Sequence, residues 1–577
     1  MRYRLIENSL NDVNNIQKTI LLNRGINDYK TYLNLNDNYL HDYRLLKNID
    51  EAVMTFIKHI ECSNKIHILV DCDVDGYASA SMMYRYIKSI DGNIPVSYSL
   101  HSGKQHGLSN EINIPIDAKL LIIPDAGTND FEQCKVLKNK GMDIIILDHH
   151  LCDEGENPYA ITVNNQICDY PNKNLCGAGI VYKFLQAIDD EMWNDYSDDY
   201  LDMVALANIS DVMDMREFET RHLVNLGINK IRSKLFKALI EKQSYSMNDH
   251  INITTIQFYI TPLLNAMIRV GDTDEKDLLF RAFIETDEVF KYKKRGTTDE
   301  VDEDIYTRAA RLCTNAKSRQ GKTVDKAVVE IHKLIDADQL YKNKVMFVNV
   351  TDVLASTLTG LAAIKLAEYY NRPCLLLRKQ EDESNGILYG GSGRNFDDSP
   401  LDSFRDFLND LNIFEFVNGH PSAFGFSIDR KNITRAIKTA NEKLSDVDFT
   451  KYYNVDFELG YEELTIGFIK DICDLADMYG HGVKEPYVLI KYIPVNACDI
   501  SIMGKTQNTW KVTDENGFAF IKFNCGDDDL IINTYKDLEE TADVPVKYLN
   551  VIGKMSINNF KGILTPQIVV KDYEEVR

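Results

Sequence analysis

Between Ile66 and Asp148 the chain alternates short, continuous apolar runs with stretches whose apolar residues recur at helical spacing. IHILV (66–70) is read as a buried strand, a helix follows from about Tyr77 to Ile90, and VSYSL (96–100), KLLIIPD (119–125) and MDIIILD (142–148) supply further strands. A helix near 130–140 separates the last two. Strands alternating with helices predict a parallel sheet covered on both faces. Residues 1 to about 50 read as mostly helical, with a glycine stop at Gly25. From about 215 to 335 the pattern is helical and charged, and its last stretch, 302–335, reads as a solvated bridging helix. A second α/β unit opens at KVMFVNV (344–350), followed by a helix over 353–370, the strand CLLL (374–377) and two glycine-rich turns at 389–395 and 418–426. Beyond about 485, short β-rich runs separated by turn signals predict a small barrel.

Composition narrows the class. A chain of 577 residues exceeds one hydrophobic core and implies about three or four domains. Hydrophobic content of 44% with 27% charged residues is that of a soluble globular protein, and no stretch approaches the roughly 20 apolar residues of a membrane span. The start, MRYRLIENSLNDVNN, lacks a signal-peptide apolar core. Eleven cysteines lie scattered without a CxxC pair, so neither a disulfide framework nor a zinc cluster is predicted, and a cytoplasmic location fits. The net charge of −23 argues against broad adhesion to nucleic acid or anionic membrane. It leaves room for a nuclease, because a narrow channel can be locally basic and bound cations offset acidic charge.

The chemistry concentrates where apolar runs end. Asp71, Asp73 and Asp75 follow the first strand at alternate positions, and in an extended segment such side chains share one side, with Gly76 permitting the turn into a helix. Three carboxylates that close repel one another unless a cation sits between them. An EF-hand loop also opens with Asp-x-Asp-x-Asp-Gly, but it needs a glutamate at the twelfth position, where Met82 stands, and a helix in front, where a strand stands. A solvated acidic turn is the blander reading. Against it, two more strands end in aspartate, at Asp125 and Asp148, the latter continuing into His149 and His150. Ligands of open α/β sheets bind beyond the carboxyl ends of strands, so one edge gathers all these groups. Adjacent histidines point different ways, and one is expected on metal with its neighbour facing substrate.

DCDVDG (71–76), PDAGT (124–128), LDHH (147–150) and ISD (209–211) resemble the four metal motifs of the DHH phosphoesterase superfamily. Within it the chain resembles the RecJ single-strand-specific exonucleases: residues 163–185 and 201–215, ITPLLNAMIR (260–269) and LLNRGI (21–26) are similar to that family's later and N-terminal stretches, in order. The resemblance implies an α/β fold with an N-terminal helical extension (1–55), a parallel-sheet DHH domain (56–245), a helical connector (246–340), a DHH-associated substrate-binding α/β domain (341–450) and a linker with an OB-like barrel (451–577). It implies metal-dependent hydrolysis of single-stranded DNA, 5′ to 3′, to mononucleotides. The expected cofactors are two divalent cations roughly 3.5 to 4 Å apart, one activating water and one stabilising the leaving oxygen. Mn²⁺ is preferred and Mg²⁺ possible, because a nitrogen ligand stands among carboxylates. Asp73, Asp75, Asp125, His149 and Asp211 are the expected ligands, with Asp148 bridging. Asp71 either completes the shell or holds a ligand in place. His150 is assigned to the scissile phosphate.

Substrate contacts are carried over onto Lys104 and His106, Asn265 and Arg269, and Ser392, Arg394 and His420. The chain departs from the family pattern at Ile268, Asn418 and Phe424, where glycine or small residues are usual. Trp510 and Phe518 of the barrel are candidates for base stacking at about 1 to 3 kcal/mol each, with core packing favoured for Phe518. Residues 485–577 carry 10 Lys and Arg against 14 Asp and Glu, so nothing there binds by bulk positive charge. Expected partners are single-stranded DNA and, beyond it, a single-strand-binding protein or helicase, with no membrane. If the chain is phage-encoded, its compartment is the host cytoplasm. Two rival functions remain: a phosphodiesterase of short oligonucleotides or cyclic dinucleotides, and a non-catalytic replication scaffold on the same fold. The second is disfavoured because every motif acid is present.

Overall fold

The computed structural model describes residues 1–6, 15–103, 105–108, 112–152, 155–294, 296, 299–380, 387–526, 529–540, 547–560 and 562–576. They form two compact units, one of Met1–Ser99, Gly107–Thr261 and Tyr453–Arg577, the other of Leu100–His106 and Pro262–Tyr452.

The first unit is built on a five-stranded sheet in the order Val96–Leu100, Ile66–Val70, Leu120–Pro124, Asp143–Asp148, Ile161–Asn164. Its inner ladders are parallel, with Ile66 opposite Leu120, Ile123 opposite Ile146 and Asp148 opposite Asn164. Every residue of Ile66–Val70 and Leu120–Pro124 is buried, which is why these strands read as continuous apolar runs. Helices Val74–Ile90, Gly177–Met192 and Leu201–Ser210 pack against one another. The first begins at Val74, three residues before the expected start, because Asp73 caps it by accepting from the Gly76 amide at 3.0 Å.

The amino-terminal segment is less helical than its pattern predicts. Tyr3–Leu5 is a strand that pairs in parallel with Tyr453–Val455, a partner no local pattern reveals. Arg24, beyond the helix Ile16–Asn23, forms an ion pair with buried Asp456 at 2.8 Å. A seven-stranded mixed sheet follows, ordered Phe457–Gly460, Val488–Val495, Lys547–Phe560, Ile563–Val576, Ala519–Lys522, Thr509–Thr513, Ile500–Met503. Its interior holds Phe518 and also Trp510, which is 0% exposed and edge-on to Tyr573 at 5.5 Å. Base stacking by Trp510 is therefore corrected to core packing.

In the second unit, Val289–Lys293 and Glu300–Asp304 pair as an antiparallel hairpin inside the stretch read as helical. The helix Ile305–Ala337 runs 33 residues, about 50 Å. It is not solvated all round: Ala309, Cys313, Ala316, Gln320, Val324, Ala327, Ile331 and Ile335 make one buried stripe. The five-stranded sheet runs Phe416–His420, Ala423–Asp429, Leu388–Arg394, Cys374–Gln380, Met346–Asn349. The expected turn at 389–395 is thus a strand, Leu388–Arg394, antiparallel to both neighbours, and only Pro421 and Ser422 turn between the other two. Among the described residues no helix is long and apolar enough to cross a membrane.

Candidate metal centre

Asp71 leaves the Ile66–Val70 strand with its carboxylate 1% exposed, Oδ1 accepting from the Gly107 amide at 3.0 Å. The three aspartates do not converge as neighbours in an extended segment. Asp73 is the helix cap and Asp75 lies in the first helical turn, so the turn of the helix, not strand alternation, sets their directions. Gly76 is required for space: a Cβ there would stand 2.6 Å from the Asp71 Cβ. Asp75 is buried, its Oδ1 accepting from Ser79 Oγ at 3.0 Å and its two oxygens from the Gly177 amide at 2.6 Å and the Ala178 amide at 2.8 Å, which leaves Oδ2 a lone pair. The last two are the free amides at the start of the helix Gly177–Met192, where a carboxylate is favoured by the helix dipole.

Asp125 follows the Leu120–Pro124 strand in the left-handed region, φ 64°, a conformation that few residues besides glycine, asparagine and aspartate accept. Its amide bonds to the Leu147 carbonyl at 2.8 Å, which holds the turn against the next strand. Oδ1 is buried, 3.2 Å from His149 Nε2 and without hydrogen-bond geometry to any described group. A Cβ at Gly177 would lie 2.5 Å from both the Asp125 Cβ and Oδ1, so glycine there lets strand end and helix start meet. His149 Nε2 also lies 3.9 Å from Asp75 Oδ2 and 3.5 Å from Asp211 Oδ2.

Asp148 turns its own carboxylate onto the following backbone. Oδ1 accepts from the His149 amide at 2.7 Å, the His150 amide at 3.2 Å and His150 Nδ1 at 2.7 Å, and Oδ2 from the Thr128 amide at 3.0 Å. His150 itself is 53% exposed, its ring centred 4.5 Å from that of His149. Asn164, on the neighbouring strand, donates to the His150 carbonyl and to Thr128 Oγ1, both at 2.9 Å, which ties the two ends of this network together.

Among the described residues, the sets of ligand atoms that fall within 4.8 Å of one another include Asp75, His149 and Asp211; Asp71, Asp73 and Asp125; and Asp125, His149 and His150. Their electrostatics are those of anions forced together. Burial, then the neighbouring Asp73, raises Asp75 to about 6. Burial, then Asp75 and the other aspartates, raises Asp125 well above the usual carboxylate range. Asp148 goes the other way: burial opposes its charge, but His150 and His149 outweigh it and hold it well below that range. Desolvation of the ring side that faces Asp148 opposes a charged His150, and the Asp148 carboxylate outweighs it, raising the imidazole to about 10 although its outer side is open. Buried oxygens that repel one another, one of them on Asp125 without a hydrogen bond, with imidazole nitrogen among them, are a donor set that fits divalent cations.

The expected substrate contacts lie in the second unit, with the exception of Lys104, which is outside the described residues. His106 and His420 are exposed, the latter at the end of the Phe416–His420 strand. Asn265 and Arg269 are half-buried on the helix Thr261–Val270. Ser392 is 7% exposed and its hydroxyl bonds to that of Thr359 at 2.8 Å. Arg394 donates to the Gly393 carbonyl at 2.7 Å, and burial, then the nearby Arg269, lowers it to about 10. The structure thus brings Arg269 and Arg394 into one another's field. Sequence reasoning missed Gly177, Ala178, Thr128, Ser79 and Asn164. The one legible signal was the glycine pair opening the helix at Gly177 and Gly179.

Residues 65–208 match the DHH family, N-terminal domain, and residues 455–572 match the RecJ OB domain. The chain is 40% identical, over all of its length and 99% of the relative's, to YorK of Bacillus subtilis, provisionally described as an SPbeta prophage-derived single-strand DNA-specific exonuclease. It is 25% identical to the single-stranded-DNA-specific exonuclease RecJ of the same bacterium, over 96% of this chain and 67% of that one. The solved structure of RecJ in complex with Mn²⁺ from Thermus thermophilus aligns with a TM-score of 0.71 at 17% identity, covering 100% of this chain and 79% of that one. Its counterpart with Mg²⁺ aligns at 0.65 and 15%, covering 100% and 78%. The expected fold class, two α/β parts, a long helix and an OB-like carboxyl-terminal part, is borne out.

Proposed function

This chain belongs to the RecJ branch of the DHH family, and we propose that it is a hydrolase of single-stranded DNA, removing mononucleotides in the 5′ to 3′ direction. The observation that carries the reading is the gathering of Asp75, Asp125, His149 and Asp211 at one sheet edge. Asp73, Asp75, Asp125, His149 and Asp211 would hold two divalent cations, with Asp71 completing the set or orienting it. A nitrogen donor among carboxylates leans toward Mn²⁺, with Mg²⁺ as a second choice. When bound, the cations supply an activated water and charge neutralisation at the leaving oxygen.

The chain's own groups do the rest. The amides of Gly177 and Ala178 keep Asp75 oriented and anionic. Asp148 holds His150 by the 2.7 Å bond and favours its protonated form, and the exposed ring is placed to donate to the scissile phosphate as charge builds there. Asp148 Oδ2 accepts only from Thr128 among these bonds and keeps a lone pair with which it can bridge. In the second unit Arg269 and Arg394, cations in mutual range, suit a phosphate of the strand, with Lys104, His106, Asn265, Ser392 and His420 as further contacts. A single-strand-binding protein or a helicase in the cytoplasm would deliver the substrate.

Digestion of 5′-labelled and 3′-labelled single strands with Mn²⁺ tests reaction, polarity and metal together. The expected result is early loss of the 5′ label as mononucleotide, slow loss of the 3′ label and no attack on blunt duplex. A chain that cleaves dinucleotides but spares a 20-mer would support the oligonucleotide phosphodiesterase instead, and one that binds no Mn²⁺ would support the scaffold.

A further inference from the structure

The helix that delivers Asp211 ends in an unusual way. Leu201–Ser210 is closed by two backbone bonds: the Val212 amide reaches the Ile209 carbonyl at 3.3 Å and the Met213 amide reaches the Asn208 carbonyl at 3.0 Å. This is the Schellman pattern, whose third residue past the last carbonyls adopts left-handed backbone and is ordinarily glycine. Here it is Val212, at φ 58°. A β-branched residue in that region is a steric outlier. Val212 is moreover 42% exposed, so burial of its side chain does not offset the strain. Glycine would meet neither penalty. Strained backbone of this kind persists where its surroundings hold it and clusters at functional sites.

The surroundings are those of the metal edge. Asp211, the residue before, places Oδ2 3.5 Å from His149 Nε2. Asn208, whose carbonyl closes the helix, accepts at Oδ1 from the Cys176 amide at 3.3 Å, directly ahead of the Gly177 and Ala178 amides that hold Asp75. The helix end carrying Asp211 and the helix start holding Asp75 therefore share one anchor. A residue with two heavy atoms on Cβ has few backbone and side-chain states open to it at this position, whereas glycine has many.

We propose that Val212 is a positioning residue: by stiffening the left-handed end of the helix it holds the Asp211 carboxylate on the His149 side of the edge. The inference rests on the proposed metal-dependent function. Its test uses the full-length chain as wild type, Val212→Gly, Val212→Ile and Val212→Ala, with melting of the metal-free protein and Mn²⁺ calorimetry as readouts. Val212→Gly should melt higher than wild type, by about 2 to 4 °C, because the strain is gone. The same variant should bind Mn²⁺ about 10-fold more weakly or worse, while Val212→Ile matches wild type and Val212→Ala falls between. A merely structural valine would move stability and affinity in the same direction. Val212→Gly that melts higher yet binds Mn²⁺ within about twofold of wild type overturns the inference, as does a variant that loses both together. A wild-type chain that binds no Mn²⁺ overturns the proposed function itself, and that result is seen before any variant is made.

Discussion

At the carboxyl edge of the first sheet, Gly76 and Gly177 stand where a Cβ would strike Asp71 and Asp125; in the sheet of the second unit, Gly391 and Gly393 stand where it would strike the Leu376 carbonyl and the Phe424 ring. Both regions use glycine to let neighbours approach, but what approaches differs. In the first, burial and then the crowding of carboxylates raise Asp75 to about 6 and Asp125 well above the usual carboxylate range, a cost that a cation offsets. In the second, neutral strands and an aromatic ring close a core in which Phe424 is 3% exposed and meets Phe404 at 5.1 Å. The same small residue therefore admits crowded carboxylates in one place and close packing in the other, and the group it makes room for decides which.

The largest effect expected is at Asp148. Asp148→Ala removes the group that holds the His150 ring and the backbone of both histidines, so hydrolysis should fall by about 10³-fold or more while circular dichroism still shows the wild-type secondary structure at a lowered melting temperature. Near wild-type turnover would show that the network around His150 is idle. Next come the glycines. Gly177→Ala pushes a methyl group into the backbone and carboxylate of Asp125 and should weaken Mn²⁺ binding by about 10- to 100-fold in calorimetry. Gly391→Ala should instead lower the melting temperature by several degrees and leave Mn²⁺ affinity unchanged. If both variants lose metal equally, the two regions do not differ as described.

Acidity sharpens the contrast at smaller amplitude. Asp75 binds its proton more tightly in the folded chain, about 6, than the ordinary 3.8, so its own contribution to the stability of the metal-free fold falls as pH rises from about 4 to 6. Mn²⁺ binds the ionised form, so its affinity should climb through the same window. Melting with and without Mn²⁺ at pH 4 to 7 checks this. Asp75→Asn should flatten the metal-free decline, and an unchanged slope would count against the assignment. The smallest effect is expected at Ser392, whose hydroxyl is buried against Thr359: Ser392→Ala should cost about 1 kcal/mol of stability and raise KM for a 20-mer less than Arg394→Ala does. A larger KM effect for Ser392 would mean its hydroxyl turns toward substrate.

Much of the metal edge was legible because strand ends write it directly: an apolar run that stops at Asp71, Asp125 or Asp148 fixes both place and charge. Asp75 was found for an incomplete reason, since its direction comes from the helix that Asp73 caps. Gly177 and Ala178 stayed hidden because backbone amides have no letter of their own. The glycine-rich 389–395 segment was misread as a turn, since its glycines answer to strands on either side that local pattern does not contain. The pairing of Tyr3–Leu5 with Tyr453–Val455 and the burial of Trp510 are likewise set by partners far along the chain.

The most direct test is anomalous diffraction at the manganese edge from crystals of the full chain grown with Mn²⁺. Peaks surrounded by Asp75, Asp125, His149 and Asp211 are the expected result. Crystals that diffract well but show no peak at this sheet edge, or show one only elsewhere on the surface, would contradict the claim that these residues form a metal centre.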